Sequence, residues 1–100
     1  MAKSTFEKLI SSEKPILIDF YADWCGPCKV VGPTLKEIKK EMGNVVRIIK
    51  IDVDRNQELS QKLSVRSIPT LMIFQNGEQK WRTQGVQTKA LIKKKLTELL

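Results

Sequence analysis

Cys25 and Cys28 are the only cysteines of a 100-residue chain, and two residues separate them in Trp24-Cys25-Gly26-Pro27-Cys28. Two thiols this close can be oxidised to an internal disulfide and reduced again, and the reactive form of each is the thiolate. A short apolar run, Ile16 to Tyr21, leads into the pair, and a helix-periodic segment, Val30 to Met42, leads out of it. The sulfurs are therefore expected where a buried strand turns into a helix. A helix start carries unpaired N–H groups and the positive end of the peptide dipole, and both stabilise a thiolate. Such a site makes one cysteine a nucleophile and keeps the second within reach to resolve the product.

Two charged residues lie inside apolar runs. Asp19 stands in the middle of Ile16 to Tyr21, and Lys50 in Val45 to Val53. An ionised carboxyl in a covered strand is costly. Asp19 is either satisfied by local hydrogen bonds or kept as a proton acceptor for Cys28. Burial would raise its pKa towards neutrality, as a general base requires. Lys50 either partners Asp19 or carries its head out to water along an apolar stem.

What is missing narrows the chemistry. The chain has no histidine, which removes Ser-His and Cys-His catalysis and most zinc sites. A zinc site would need two chains sharing their cysteine pairs, so no metal and no cofactor is expected. A Cys25–Cys28 disulfide as a mere staple would close a tiny loop and restrain the unfolded chain little. The net charge of +7 reflects lysines scattered along the chain, with one cluster, Lys93-Lys94-Lys95, that no aromatic residue interrupts. Charge alone warrants only non-specific attraction to nucleic acid. No apolar run is long enough to span a bilayer, and the first residues, Met1 to Glu7, contain no apolar secretory region. A cytoplasmic location is expected.

The elements that position these residues follow in order. Ser4 to Ser12 reads as a short helix opened by a Ser4/Glu7 capping box. Ile16 to Tyr21 suits a strand covered on both faces. Pro27 fits the first turn of the next helix, whose Val31, Leu35, Ile38 and Met42 share one face. Pro33 lies inside that helix and should kink it. Val45 to Val53 reads as a second central strand. Asp54 to Leu63 is a turn and short helix, with Asn56 as its N-cap. Leu71 to Phe74 is a strand, Asn76-Gly77 a hairpin turn, and Glu78 to Thr83 an exposed antiparallel edge. Gly85 marks a bulge or a close approach. Thr88 to Leu100 closes the chain as a helix with Ile92, Leu96 and Leu99 inward. The order αβαβαββα predicts a single α/β domain over residues 1–100, with one four-stranded mixed sheet and helices on both faces.

Asp19-Phe20-Tyr21-Ala22-Asp23-Trp24-Cys25-Gly26-Pro27-Cys28 resembles the active-site segment of the thioredoxin family, and Ile68-Pro69-Thr70, Asn76-Gly77 and Gly85 recur at the family's places. The resemblance covers nearly the whole chain. It implies the thioredoxin fold and reduction of protein disulfides. Cys25, the more exposed sulfur, would be the attacking thiolate and Cys28 the resolving thiol. It also implies Asp19 as proton acceptor with Lys50 as its partner, and a cis Ile68–Pro69 bond that sets the Ile68 backbone against Cys25. Trp24, Gly26, Pro27, Ile68, Pro69, Gly85 and Val86 would form an apolar rim for substrates. Partners would be disulfide-containing proteins and a thioredoxin reductase as electron donor, with the chain acting as a monomer. Trp81 lies outside the pattern and reads as surface packing. Two departures stand out: the family's N-terminal edge strand is not expected here, and Tyr21 replaces the usual bacterial tryptophan. Rival readings are a docking module that uses this surface without chemistry, and a disulfide oxidase or isomerase. Gly26-Pro27 speaks against the latter, whose members usually carry a histidine between the cysteines.

Overall fold

In the computed structural model, residues 4–100 are described. Met1, Ala2 and Lys3, part of the stretch in which no secretory region is read, lie outside the described residues. The elements are α1 (Thr5–Ile10), β1 (Ile16–Tyr21), α2 (Cys28–Met42), a 3-10 turn (Gly43–Val45), β2 (Arg47–Asp52), α3 (Gln57–Lys62), β3 (Thr70–Gln75), β4 (Glu78–Gln84) and α4 (Lys89–Thr97). The strands form one mixed sheet in the order β2-β1-β3-β4. β1 pairs in parallel with β2 and antiparallel with β3, and β3 pairs antiparallel with β4.

Local sequence explains most of the boundaries. Ser4 caps α1 in a complete capping box, its hydroxyl accepting from the Glu7 N–H at 3.1 Å. Thr88 caps α4 through the Leu91 N–H at 3.2 Å. Asn76 and Gly77 both take positive φ and close the β3–β4 hairpin. α2 continues through Pro33 to Met42. Asn56 stands at the N-cap of α3, but its side chain does not cap it. Its amide instead donates to the Asp52 carbonyl at 2.9 Å.

Strand alternation divides the core into two layers. Leu17, Leu71 and Ile73 face α2 and α4, and pack with Val31, Leu35, Ile38, Ile92 and Leu96. Ile16, Ile18, Phe20, Met72 and Phe74 face the other way, where Phe6, Leu9 and Ile10 of α1 and Leu63 after α3 cover them. Trp81 is partly buried and packs against the edge of the first layer.

β2 is an edge strand, not the central strand that its apolar run suggested. An apolar run reports cover on the two faces of a strand and is silent about its two edges. Ile48 packs into one layer, Ile49 and Ile51 into the other, and all three remain only half-buried.

Ile38 is fully buried between α2 and the sheet. Ile38→Ala is expected to lower unfolding free energy by about 2–5 kcal/mol in urea denaturation. A loss below about 1 kcal/mol would contradict this packing.

Candidate active site

β1 ends at Tyr21, and the chain turns at once. The Cys25 N–H donates to the Ala22 carbonyl at 3.1 Å, which closes the turn. Pro27 then occupies the N-cap position of α2, and Cys28 is the first helical residue. No side chain caps this helix start. The Cys28 N–H, an orphan donor of the first turn, points instead at the Cys25 sulfur, 3.2 Å away. The two cysteines are joined as a disulfide with their Cα atoms 5.3 Å apart. When that bond opens, the same N–H is placed to stabilise a Cys25 thiolate.

Cys25 was expected to be the more exposed cysteine. It is not: Cys25 is 3 % exposed and Cys28 4 %. Ala22, Tyr21, Val53 and Ile68 pack around the pair.

The Ile68–Pro69 peptide bond is cis. The Ile68 carbonyl oxygen lies 3.8 Å from Cys25 Sγ. The Pro69 carbonyl accepts from the Gly85 N–H at 2.8 Å. Gly85 has φ +84°, a conformation open to glycine at little cost. This bond ties Gly85, and so the start of the segment with exposed Val86, to the loop that faces Cys25.

Trp24 is 70 % exposed beside the disulfide. Its indole N–H donates to Asp54 Oδ2 at 2.8 Å, which fixes a large apolar ring outside the core. Trp24, Val53, Val65, Arg66, Ser67 and Ile68 line a shallow groove of about 160 Å³. Gly26 and Pro27 are exposed on the cysteine loop. Asp54 was not singled out from the sequence. It stands in a turn thirty residues from Trp24, and no local pattern links the two.

Asp19 lies on the α2 side of β1, in alternation with Leu17 and Tyr21. It is fully buried, and neither carboxyl oxygen has a hydrogen-bond partner among the described residues. Burial pushes its pKa from the ordinary 3.8 up to about 6, and the nearby Lys50 charge partly offsets that rise. The local hydrogen bonds that could have satisfied the carboxyl are absent among the described residues. Lys50 is the register partner of Asp19 across β1 and β2. Its ammonium makes no ion pair with Asp19 and sits over the Tyr21 ring, 4.3 Å from the centroid. Its exposed side chain thus reaches outward along an aromatic face and acts on Asp19 only at a distance.

A strand-to-helix turn, two sulfurs in disulfide contact and a helix amide on the Cys25 sulfur define a thiol–disulfide oxidoreductase. The comparisons with known proteins agree. The thioredoxin family model matches residues 1–98, and the chain belongs to the thioredoxin family. It is 42 % identical over 87 residues to thioredoxin of Rickettsia bellii, which covers 87 % of this chain and 83 % of that one. It is 43 % identical over 97 residues to the bifunctional thioredoxin reductase/thioredoxin of Mycobacterium leprae, covering 97 % of this chain but only 21 % of that protein. A mutant thioredoxin from Halobacterium salinarum superposes with a TM-score of 0.86 at 33 % identity, covering 99 % of this chain and 86 % of that one. The chain is a protein-disulfide reductase of the thioredoxin type. No helix among the described residues is long and apolar enough to cross a membrane.

The raised pKa of Asp19 has a sign that stability measurements can read. The folded state holds the proton to higher pH than the unfolded state does. Stability contributed by the protonated carboxyl is therefore full below about pH 4 and falls as pH rises towards about 6. From 3.8 to about 6 at about 1.4 kcal/mol per pH unit, the loss is about 3 kcal/mol. Asp19→Asn is expected to remove it, so that stability at pH 7.5 relative to pH 4 rises by about 3 kcal/mol over the parent. An unchanged difference would place the Asp19 carboxyl in a solvated setting.

Proposed function

We propose the following division of labour for the reduction of protein disulfides. The reduced Cys25 thiolate attacks one sulfur of a substrate disulfide. A Cys25–substrate mixed disulfide forms, and the other substrate sulfur leaves as a thiolate that takes up a proton. Asp19 then accepts the proton of Cys28. The Cys28 thiolate attacks Cys25, the Cys25–Cys28 disulfide forms, and the second substrate sulfur is released reduced. Two electrons have passed from the dithiol to the substrate, and a separate reductase returns them. The observation that carries this reading is the Cys28 N–H held 3.2 Å from Cys25 Sγ at the start of α2. It singles out Cys25 as the sulfur whose negative charge the helix stabilises.

Asp19 suits its role because an acceptor must be ionised yet basic near neutral pH, and burial sets it at about 6. Lys50 tunes that value by its charge rather than by contact. Trp24, Gly26, Pro27 and Val86 form the exposed part of the substrate surface, with Ile68, Pro69 and Gly85 holding the backbone beside Cys25. An extended substrate pairs there with the Ile68 backbone. The name of the Mycobacterium leprae relative joins a thioredoxin reductase to a thioredoxin, which supports a reductase of that class as the electron donor. We place the chain in the cytoplasm, as a monomeric single domain.

Cys28→Ser is expected to accumulate stable mixed disulfides with an oxidised protein substrate, visible as a non-reducing gel shift. Normal multiple-turnover reduction by this variant would refute the resolving role. For Asp19→Asn, the rate of mixed-disulfide resolution is expected to fall about tenfold or more near pH 7. It is also expected to lose its inflection near pH 6. A pH–rate profile identical to the parent's would refute the proton-acceptor role.

A further inference from the structure

One side of β2 pairs with no strand among the described residues. Arg47 donates its N–H to the Pro15 carbonyl and Val53 to the Tyr21 carbonyl, each at 2.9 Å. Alternate residues of a parallel strand turn their backbone groups to opposite sides. Ile48 and Lys50 therefore present N–H and C=O to the open side, where no strand lies among the described residues. The open stretch has defined ends. At one, the Lys39 ammonium donates to the Val46 carbonyl at 2.9 Å. At the other, the Asn56 amide donates to the Asp52 carbonyl at 2.9 Å. Between them there is length for about four residues of an added strand.

A cleft of about 460 Å³ runs along this edge, between β2 and α2. Tyr21, Leu35 and Ile48 give it apolar walls. Lys29, Lys36, Lys39 and Lys50 line it with positive charge, against one carboxylate, Asp23. Among the described residues none of the four lysines is in an ion pair. An exposed edge with free donors is a template for another chain. Edge, neighbouring cleft and uncompensated positive charge together specify what would fit.

We propose that this edge and cleft dock an extended acidic segment of a partner protein. The segment adds to β2 as a fifth strand through the backbone of Ile48 and Lys50. Every second side chain of such a strand points towards the cleft, so acidic residues at alternate positions meet the lysine rim. Main-chain bonds supply the affinity, and the charged rim supplies selectivity and speed of encounter. Cys28 also lines the cleft, so the redox state of the dithiol is held fixed when binding is measured.

The test uses the oxidised protein, in which no thiol chemistry can intervene. The probe is a capped six-residue peptide alternating glutamate with valine. Two controls carry backbone N-methyl groups, one at the glutamates and one at the valines, and a third has lysine in place of glutamate. The Ile48 and Lys50 amides are followed by NMR hydrogen exchange during titration. Strand addition is expected to slow exchange of these two amides at least about tenfold. Only one of the two N-methylated peptides should bind, because only one set of peptide N–H groups faces β2. The lysine peptide should not bind, and Lys36→Glu should weaken the parent peptide about fivefold. Equal binding by both N-methylated peptides would show charge attraction without a strand and overturn the proposal. So would unprotected Ile48 and Lys50 amides. Protection that grows with protein concentration and without peptide would assign the edge to a second copy and overturn it too.

Discussion

The structure depends on where β1 stops. β1 has strands on both sides and core layers on both faces, so its end is a fixed point. The chain turns there within four residues and starts α2 at Cys28. The first free amide of that helix meets a sulfur rather than a capping oxygen. A serine or aspartate cap would have satisfied the helix and occupied the place of the Cys25 sulfur. The junction holds its position because Val31, Leu35 and Ile38 bind α2 to the sheet over about two turns. The Ile68 loop approaches from the β3 side, and Gly85 pins it through one backbone bond. Chemistry at Cys25 thus rests on three elements distant in sequence, each fixed by the core.

Asp19 shows the cost of such a site. Its burial without partners opposes folding by about 3 kcal/mol at neutral pH, a large share of a typical domain's 5–15 kcal/mol. A leucine-sized apolar residue would pack there better. In the role we propose for it, the carboxyl is a base whose pKa lies near working pH. Lys50 shapes that value without neutralising it. Placed over the Tyr21 ring, the ammonium keeps its hydration and an aromatic contact of about 0.5–1 kcal/mol. Direct pairing would have pulled Asp19 back towards an ordinary carboxylate.

Much of this was legible in the residues. The apolar run of β1, the 3.6-residue period of α2 and the Asn76-Gly77 turn each name their element through local physics. The Cys-Gly-Pro-Cys segment names the chemistry, and an aspartate in a covered strand announces a perturbed carboxyl. What was not legible depends on which segments become neighbours. The edge position of β2 is a property of sheet order, and its sequence records only its covered faces. The equal burial of Cys25 and Cys28 comes from Ile68 and Val53, brought in from other loops. The Asp54 bond to Trp24, the Tyr21 contact of Lys50 and the partial burial of Trp81 are likewise long-range or cross-strand events. Arg82 belongs with them: it donates to the Leu63 and Ser64 carbonyls at 2.6 and 2.8 Å and ties β4 to the end of α3.

The central claim is that the Cys25–Cys28 pair works as a reductant of protein disulfides. Its equilibrium reduction potential, measured against a glutathione or dithiothreitol series, tests this most directly. The expected value is close to about −270 mV, where thioredoxin itself lies. At that potential the dithiol donates electrons to most accessible substrate disulfides and must be recharged by a reductase. A value near about −120 mV, that of a periplasmic disulfide donor, would contradict the claim. The pair would then deliver disulfides instead of removing them.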